Sequence, residues 1–177
     1  MNHLFKTVIL VISILPNLVY SMTFDLEVDP IFYAIDGKSF HFGLSSKDHR
    51  VELGVFQLKG ADSEIHENDN FDLNLEGFNI KYDYLFGKYD GFYIGWEINF
   101  AETQYTHTPS NKVFNRQVTT TAPRIGYRFT YFNFITLSTS LAYDILLDEG
   151  DDVSVGEDHY KNKNGDFVPT VHIGFYF

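Results

Sequence analysis

Residues 134–147 read FITLSTSLAYDILL, and every second position is of one kind. Ile135, Leu137, Thr139, Leu141, Tyr143, Ile145 and Leu147 form one row, while Thr136, Ser138, Ser140, Ala142 and Asp144 form the other. In an extended chain successive side chains point to opposite faces, so this stretch is a strand with one apolar and one small, polar face. Such a strand separates two environments.

The same period recurs outward in both directions. In residues 91–103 Phe92, Ile94, Trp96, Ile98 and Phe100 share a face opposite Tyr93, Gly95, Glu97, Asn99 and Ala101. Residues 118–129 set Ile125, Tyr127 and Phe129 against Ala122, Arg124, Gly126 and Arg128. Residues 78–86, 50–57, 39–45 and 23–28 repeat the pattern, and FVPTVHIGFYF, 167–177, closes the chain with another alternating run. That makes eight strands. The apolar parity changes between Leu75 and Phe78, and a bulge at Glu76-Gly77 would restore the phase. Asp29-Pro30, a short apolar run and Gly37 read as N-cap, N1 proline, helical turn and glycine C-cap. Residues 23–37 are therefore open between strand, loop helix and plug.

Composition limits what such strands can do. The chain has 177 residues, a formal charge of −11 and no Cys. That allows one domain, no disulfide framework and no thiolate metal site, and it disfavours a nucleic-acid partner. The N-terminus places Lys6 before an apolar run, with Val19 and Ser21 as small residues before a cleavage point. This predicts a secretory signal peptide over 1–21 and a barrel domain over 22–177. After Ser21 no apolar stretch is long enough for a transmembrane helix, so a membrane crossing would have to be made by strands.

The links between strands alternate in length. Those near 45–49, 87–91 and 130–133 are short, and those over about 58–71, 104–112 and 148–166 are long and polar. Even strand number with alternating short and long links predicts an all-β, eight-stranded antiparallel up-and-down transmembrane β-barrel, with short periplasmic turns and longer extracellular loops. Phe86, Phe92, Tyr127, Phe129, Tyr131 and Phe177 would form the aromatic girdle at the periplasmic end.

The last strand resembles the terminal strand of bacterial outer-membrane proteins, with a final aromatic at Phe177 and another at Phe175. Gly174 stands closer to the end than the glycine of that pattern. The whole mature segment resembles the small OmpA/OmpX/OmpW-like barrels in architecture. The resemblance implies location in the bacterial outer membrane, contact with membrane lipid and lipopolysaccharide, recognition of Phe175 and Phe177 by the barrel-assembly machinery, and a monomeric state.

The inward row predicted from this reading holds Asp25, Glu27, His41, Arg50, Glu52, Lys81, Asp83, Glu97, Arg124, Arg128, Asp144 and His172. An eight-stranded barrel is filled by its own side chains, and buried charges must pair, so these residues read as a structural network. No catalytic set, cofactor or metal site is expected. DEGDD at 148–152 lacks the spacing and turn glycine of a calcium loop. The competing readings are a lipid-modifying enzyme using Ser138 or Ser140 with His172 and Asp144, a small-solute channel, and a soluble lipocalin-like barrel with its apolar row turned inward. A structural or surface-interacting barrel is the expectation.

Overall fold

The computed structural model describes residues 22–60, 70–87, 89–147, 153–160 and 165–177. The expected signal peptide and the acidic run at 148–152 lie outside the described residues. Eight strands close into one antiparallel barrel: β1 (Met22–Val28), β2 (Gly37–Ser46), β3 (His49–Leu58), β4 (Phe71–Leu85), β5 (Gly91–His107), β6 (Lys112–Tyr131), β7 (Ile135–Leu146) and β10 (Asp166–Tyr176). The strands follow one another around the wall, and β10 returns to pair with β1. Closure leaves no unpaired edge along the shared height of the barrel. Two short strands, β8 (Val153–Val155) and β9 (Asp158–Tyr160), pair with each other in a separate two-stranded sheet.

A helical turn, α1 (Pro30–Ala34), follows β1. Asp29 caps it by accepting a hydrogen bond from the Ile31 amide, and Pro30 opens it without a wasted donor. The expected glycine C-cap is not used. Gly37 is already the first residue of β2, and Asp36 takes the left-handed conformation, with φ of 57°. Aspartate tolerates that region better than most residues. The helix packs against β2 and β10, beyond the point where the β1–β10 ladder stops at Val28–Ile173. It lines the seam where β1 has ended, so residues 22–37 are a short strand followed by a helical turn.

The predicted bulge at Glu76-Gly77 is absent. Pairing runs without a slip from Leu75–Leu58 through Phe78–Val55 on one side, and from Leu75–Thr103 through Phe78–Phe100 on the other. Odd residues of β4 point inward throughout, from Phe71 to Leu85. What changes is the surroundings. Phe40, Val55, Phe78 and Phe100 are consecutive register partners on the outer face, and the next row up is Lys38, Gln57, Glu76, Glu102 and Gln117. At that row the outer face turns from apolar to polar.

The inner face makes the opposite change. Below the row it is charged; above it Leu58, Phe71, Leu73, Tyr105, Val153 and Tyr160 form an apolar core. Hairpin β8–β9 supplies Val153 and Tyr160 to this core and so caps the barrel at the long-loop end. This second core explains why strands run further than the sequence suggests. The link expected over 104–112 is mostly strand, and its turn is only residues 108–111. The link expected over 148–166 contains the capping hairpin.

Candidate functional site

The barrel interior is the most chemically loaded part of the molecule. Glu27, Arg50 and Glu52 on β1 and β3 are fully or almost fully buried, as are Asp25, His41, Lys81, Asp83, Arg124, Arg128 and His172. Glu97 is at the margin of burial, and Asp144 is half-buried. Strand alternation puts each of them on the inward parity, and the closed wall excludes water from their flanks.

Arg50 organises one side. Its Nη2 donates to Asp25 Oδ1 at 2.6 Å and Glu27 Oε2 at 3.1 Å, and its Nη1 pairs with Glu52 and, at 3.4 Å, with Asp83. Arg128 comes from the far wall on β6 and reaches Glu27 Oε1 at 2.8 Å and Asp25 Oδ2 at 3.3 Å. Arg124 bridges Asp83 and Glu97, each at 3.2 Å. Lys81 Nζ lies 2.9 Å from Glu52 Oε1, as does His41 Nδ1. A buried charge is tolerated only with partners of opposite sign, and the guanidinium forks each serve several carboxylates at once.

Asp144 stands apart from this cluster. Its Oδ1 accepts from Thr120 Oγ1 at 3.0 Å, and the Thr120 hydroxyl is also reached by Asn99. Two groups were not singled out in the sequence. Tyr93 is buried, its hydroxyl accepts from Arg124 Nη2 at 2.9 Å, and its ring lies 5.2 Å from the guanidinium carbon. Thr136 donates to Glu27 Oε1 at 2.8 Å. Their parity with Glu97 and Ser138 was the available signal.

The residues of the hydrolase reading are not assembled. His172 and Ser138 are register partners, yet His172 Nδ1 faces Glu27 at 3.5 Å, and Ser138 Oγ bonds Tyr93 OH at 3.2 Å. Ser140 Oγ bonds Thr170 Oγ1, and Asp144 bonds Thr120. A nucleophile–base–carboxylate chain needs each link within hydrogen-bond reach, and Ser138, Ser140, His172 and Asp144 are each paired with other groups. The inverted, lipocalin-like reading is overturned by the faces themselves. Val55, Ile94 and Trp96 are about half exposed on the outside, while the charged row is enclosed.

A second polar site lies in the cap. Asp158 Oδ1 accepts from Asn70 Nδ2 at 2.8 Å, and Asp158 Oδ2 lies 3.0 Å from His107 Nε2. These two bonds hold the Asp158 carboxyl below its ordinary value. Burial, with Tyr105 beside it, raises the Tyr160 phenol above its own. Phe71 and Tyr105 flank the Tyr160 ring.

At the opposite end Phe86, Phe92, Phe129, Tyr131 and Phe177 are exposed, and Tyr127 packs between Phe92 and Phe129. Phe177 and Phe24 exchange both backbone hydrogen bonds, and Phe175 stacks on Phe134.

No family model and no curated protein matches the sequence. Among solved structures, the chain is similar to a major outer membrane protein from Thermus thermophilus, with a TM-score of 0.51, 13% identity, and coverage of 89% of this chain and 100% of that one. The N-terminal β-barrel domain of Pseudomonas aeruginosa OprF matches with a TM-score of 0.48, 14% identity and coverage of 88% and 96%. Ail, the attachment invasion locus protein of Yersinia pestis, matches with 0.46, 11%, and 89% and 97%. Strand number, closure and the Thermus likeness agree: the chain has the fold of the eight-stranded outer-membrane β-barrels.

Proposed function

We propose that this chain is an exported barrel of the bacterial outer membrane, with its turns in the periplasm and its cap outside, acting through structure and surface contact rather than catalysis. The observation that carries the reading is the single row of register at which both faces reverse. Below it the outside is apolar and the inside charged, which suits a wall between lipid and a sealed lumen. Above it the outside is polar and the inside apolar, which suits a small domain in water. Arg128 joins opposite walls across the lumen and supports a filled interior rather than an open channel. The partners on this reading are outer-membrane lipid and lipopolysaccharide around the belt, and the assembly machinery at Phe175 and Phe177. Specificity would reside in the outward-facing residues of β4, β5 and β6 above the reversal row.

The absence of cysteine makes a direct test simple. Ser110→Cys, at the tip of the β5–β6 hairpin, should react with an impermeant maleimide on intact cells. Lys47→Cys, in the β2–β3 turn, should react only after the outer membrane is permeabilised. The protein should also run as a heat-shifted band in outer-membrane fractions. Recovery in the soluble periplasm, or the reverse labelling order, would overturn the reading.

A further inference from the structure

We propose that His41, Glu52 and His172 form a binding site for one divalent transition-metal ion of the zinc or copper class inside the barrel. The three side chains come from β2, β3 and β10, and their ligand atoms lie within 4.8 Å of one another. All three are buried. The two imidazole rings stack, with centroids 4.3 Å apart and planes inclined by 24°. Both Nδ1 atoms approach the same carboxylate oxygen, Glu52 Oε1, at 2.9 and 4.0 Å. Two imidazole nitrogens and a carboxylate are a donor set suited to zinc or copper.

Two further observations point to a cation at this place. His41 Nδ1 and both Glu52 oxygens are buried without a well-directed hydrogen bond, although ion pairs surround them. The linked carboxylates are Asp25, Glu27, Glu52, Asp83 and Glu97, against the cations Arg50, Lys81, Arg124 and Arg128. Counting Lys and Arg against Asp and Glu, the linked cluster is one cationic side chain short. Lys81 Nζ is the group that now occupies Glu52 Oε1. A divalent ion could take that place, with Lys81 displaced from Glu52. Arg50 on the other Glu52 oxygen would orient the ligand from outside, as outer partners of metal ligands do. Lys81 is thus the competitor for the site.

The test uses the full, untagged chain refolded from urea into detergent micelles with zinc or copper sulfate, then dialysed to remove loose ion. Metal analysis should find a single retained equivalent, and the copper form should show coupling to two nitrogens by electron paramagnetic resonance. His41→Gln and His172→Gln should each weaken retention by more than the roughly 10–100-fold that loss of an outer partner costs. Lys81→Met should tighten it, an effect a merely structural lysine would not have. The heat-shifted gel band identifies which variants have folded. No retained ion in folded wild-type and Lys81→Met protein, or retention in the two histidine variants equal to that of the wild type, would overturn the proposal.

Discussion

Arg128 Nη1 lies 2.8 Å from Glu27 Oε1, and this pair joins β6 to β1 across the barrel. The same carboxylate group serves Arg50 and Thr136, so Glu27 on β1 ties together β3, β6 and β7. Arg128→Ala should therefore destabilise the refolded barrel by about 3–5 kcal/mol, the cost of leaving buried charge uncompensated. Urea titration in micelles measures it. Adding Glu27→Gln to Arg128→Ala should restore part of the loss, because the orphaned charge goes with it. Equal or greater loss in the double variant would show that the pair is not coupled.

The reversal row locates the membrane edge to one step of register. Ile80 and Glu76 are both on the outer face of β4, two outward positions apart. Ile80→Arg, within the belt, should cost clearly more than Glu76→Arg, which should cost about 0–1 kcal/mol. Refolding titrations in lipid vesicles would separate the two. Similar penalties at both positions would move the edge away from the Phe78 row.

The β4 segment also shows what the sequence disclosed and what it withheld. Alternation over 134–147 and 91–100 identified strands and their faces because each side meets one environment throughout. Over 71–85 the same parity continues, but the apolar side changes from inward to outward. Read with a single environment, that change demanded a bulge. Nothing local in Leu75, Glu76 or Gly77 says that the chain passes from a capped core into a lipid-facing belt. Hairpin β8–β9 was hidden for a similar reason. Val153, Val155, the positive-φ Gly156 and Tyr160 carry a hairpin signal, yet only the tertiary fold shows what covers Val153 and Tyr160. The lumen charges could be assigned to a face, but their pairing depended on which strands meet across the barrel.

Closure of the barrel depends on Gly174. A Cβ there would collide with the Leu26 carbonyl oxygen and come within 2.7 Å of Glu27 Cα, both backbone atoms of the facing strand. Backbone cannot move aside as a flexible side chain can, so Gly174→Val should force β1 and β10 apart. The expected result is loss of the heat-shifted band after refolding, with strand content retained in circular dichroism. A normal band would show that the seam can widen without penalty.

The cap should respond to acid. Asp158 is held below its ordinary value by His107 and Asn70, so its charged form is favoured in the docked state. The stabilisation is complete above the ordinary aspartate range and is lost as pH falls through the lowered value. Proteolysis by an acid-active protease should cut residues 153–160 faster as pH drops below about 4. Asp158→Asn keeps the size but removes the charge, and should make cleavage insensitive to pH over that range. An unchanged pH dependence in the variant would assign the effect to other groups.

Tyr160 tests whether the cap is a separate unit. Its ring lies between Phe71 and Tyr105, with centroids 5.9 and 4.9 Å away, and Val153 is its register partner in the hairpin. Tyr160→Ala would remove a buried aromatic from a small core, a change that costs about 3–5 kcal/mol in an ordinary domain. Here this core and the Asp158 bonds hold β8 and β9 to the wall. The loss should therefore appear as release of the hairpin, seen as faster amide exchange over 153–160 and in the outer halves of β4 and β5. Tyr160 belongs to the apolar core above the reversal row and the ion network lies below it, so the heat-shifted band and the urea midpoint of the barrel should stay near wild type. A large fall in that midpoint would mean that cap and lumen unfold together, and that the apolar core above the reversal row is part of what keeps the barrel closed.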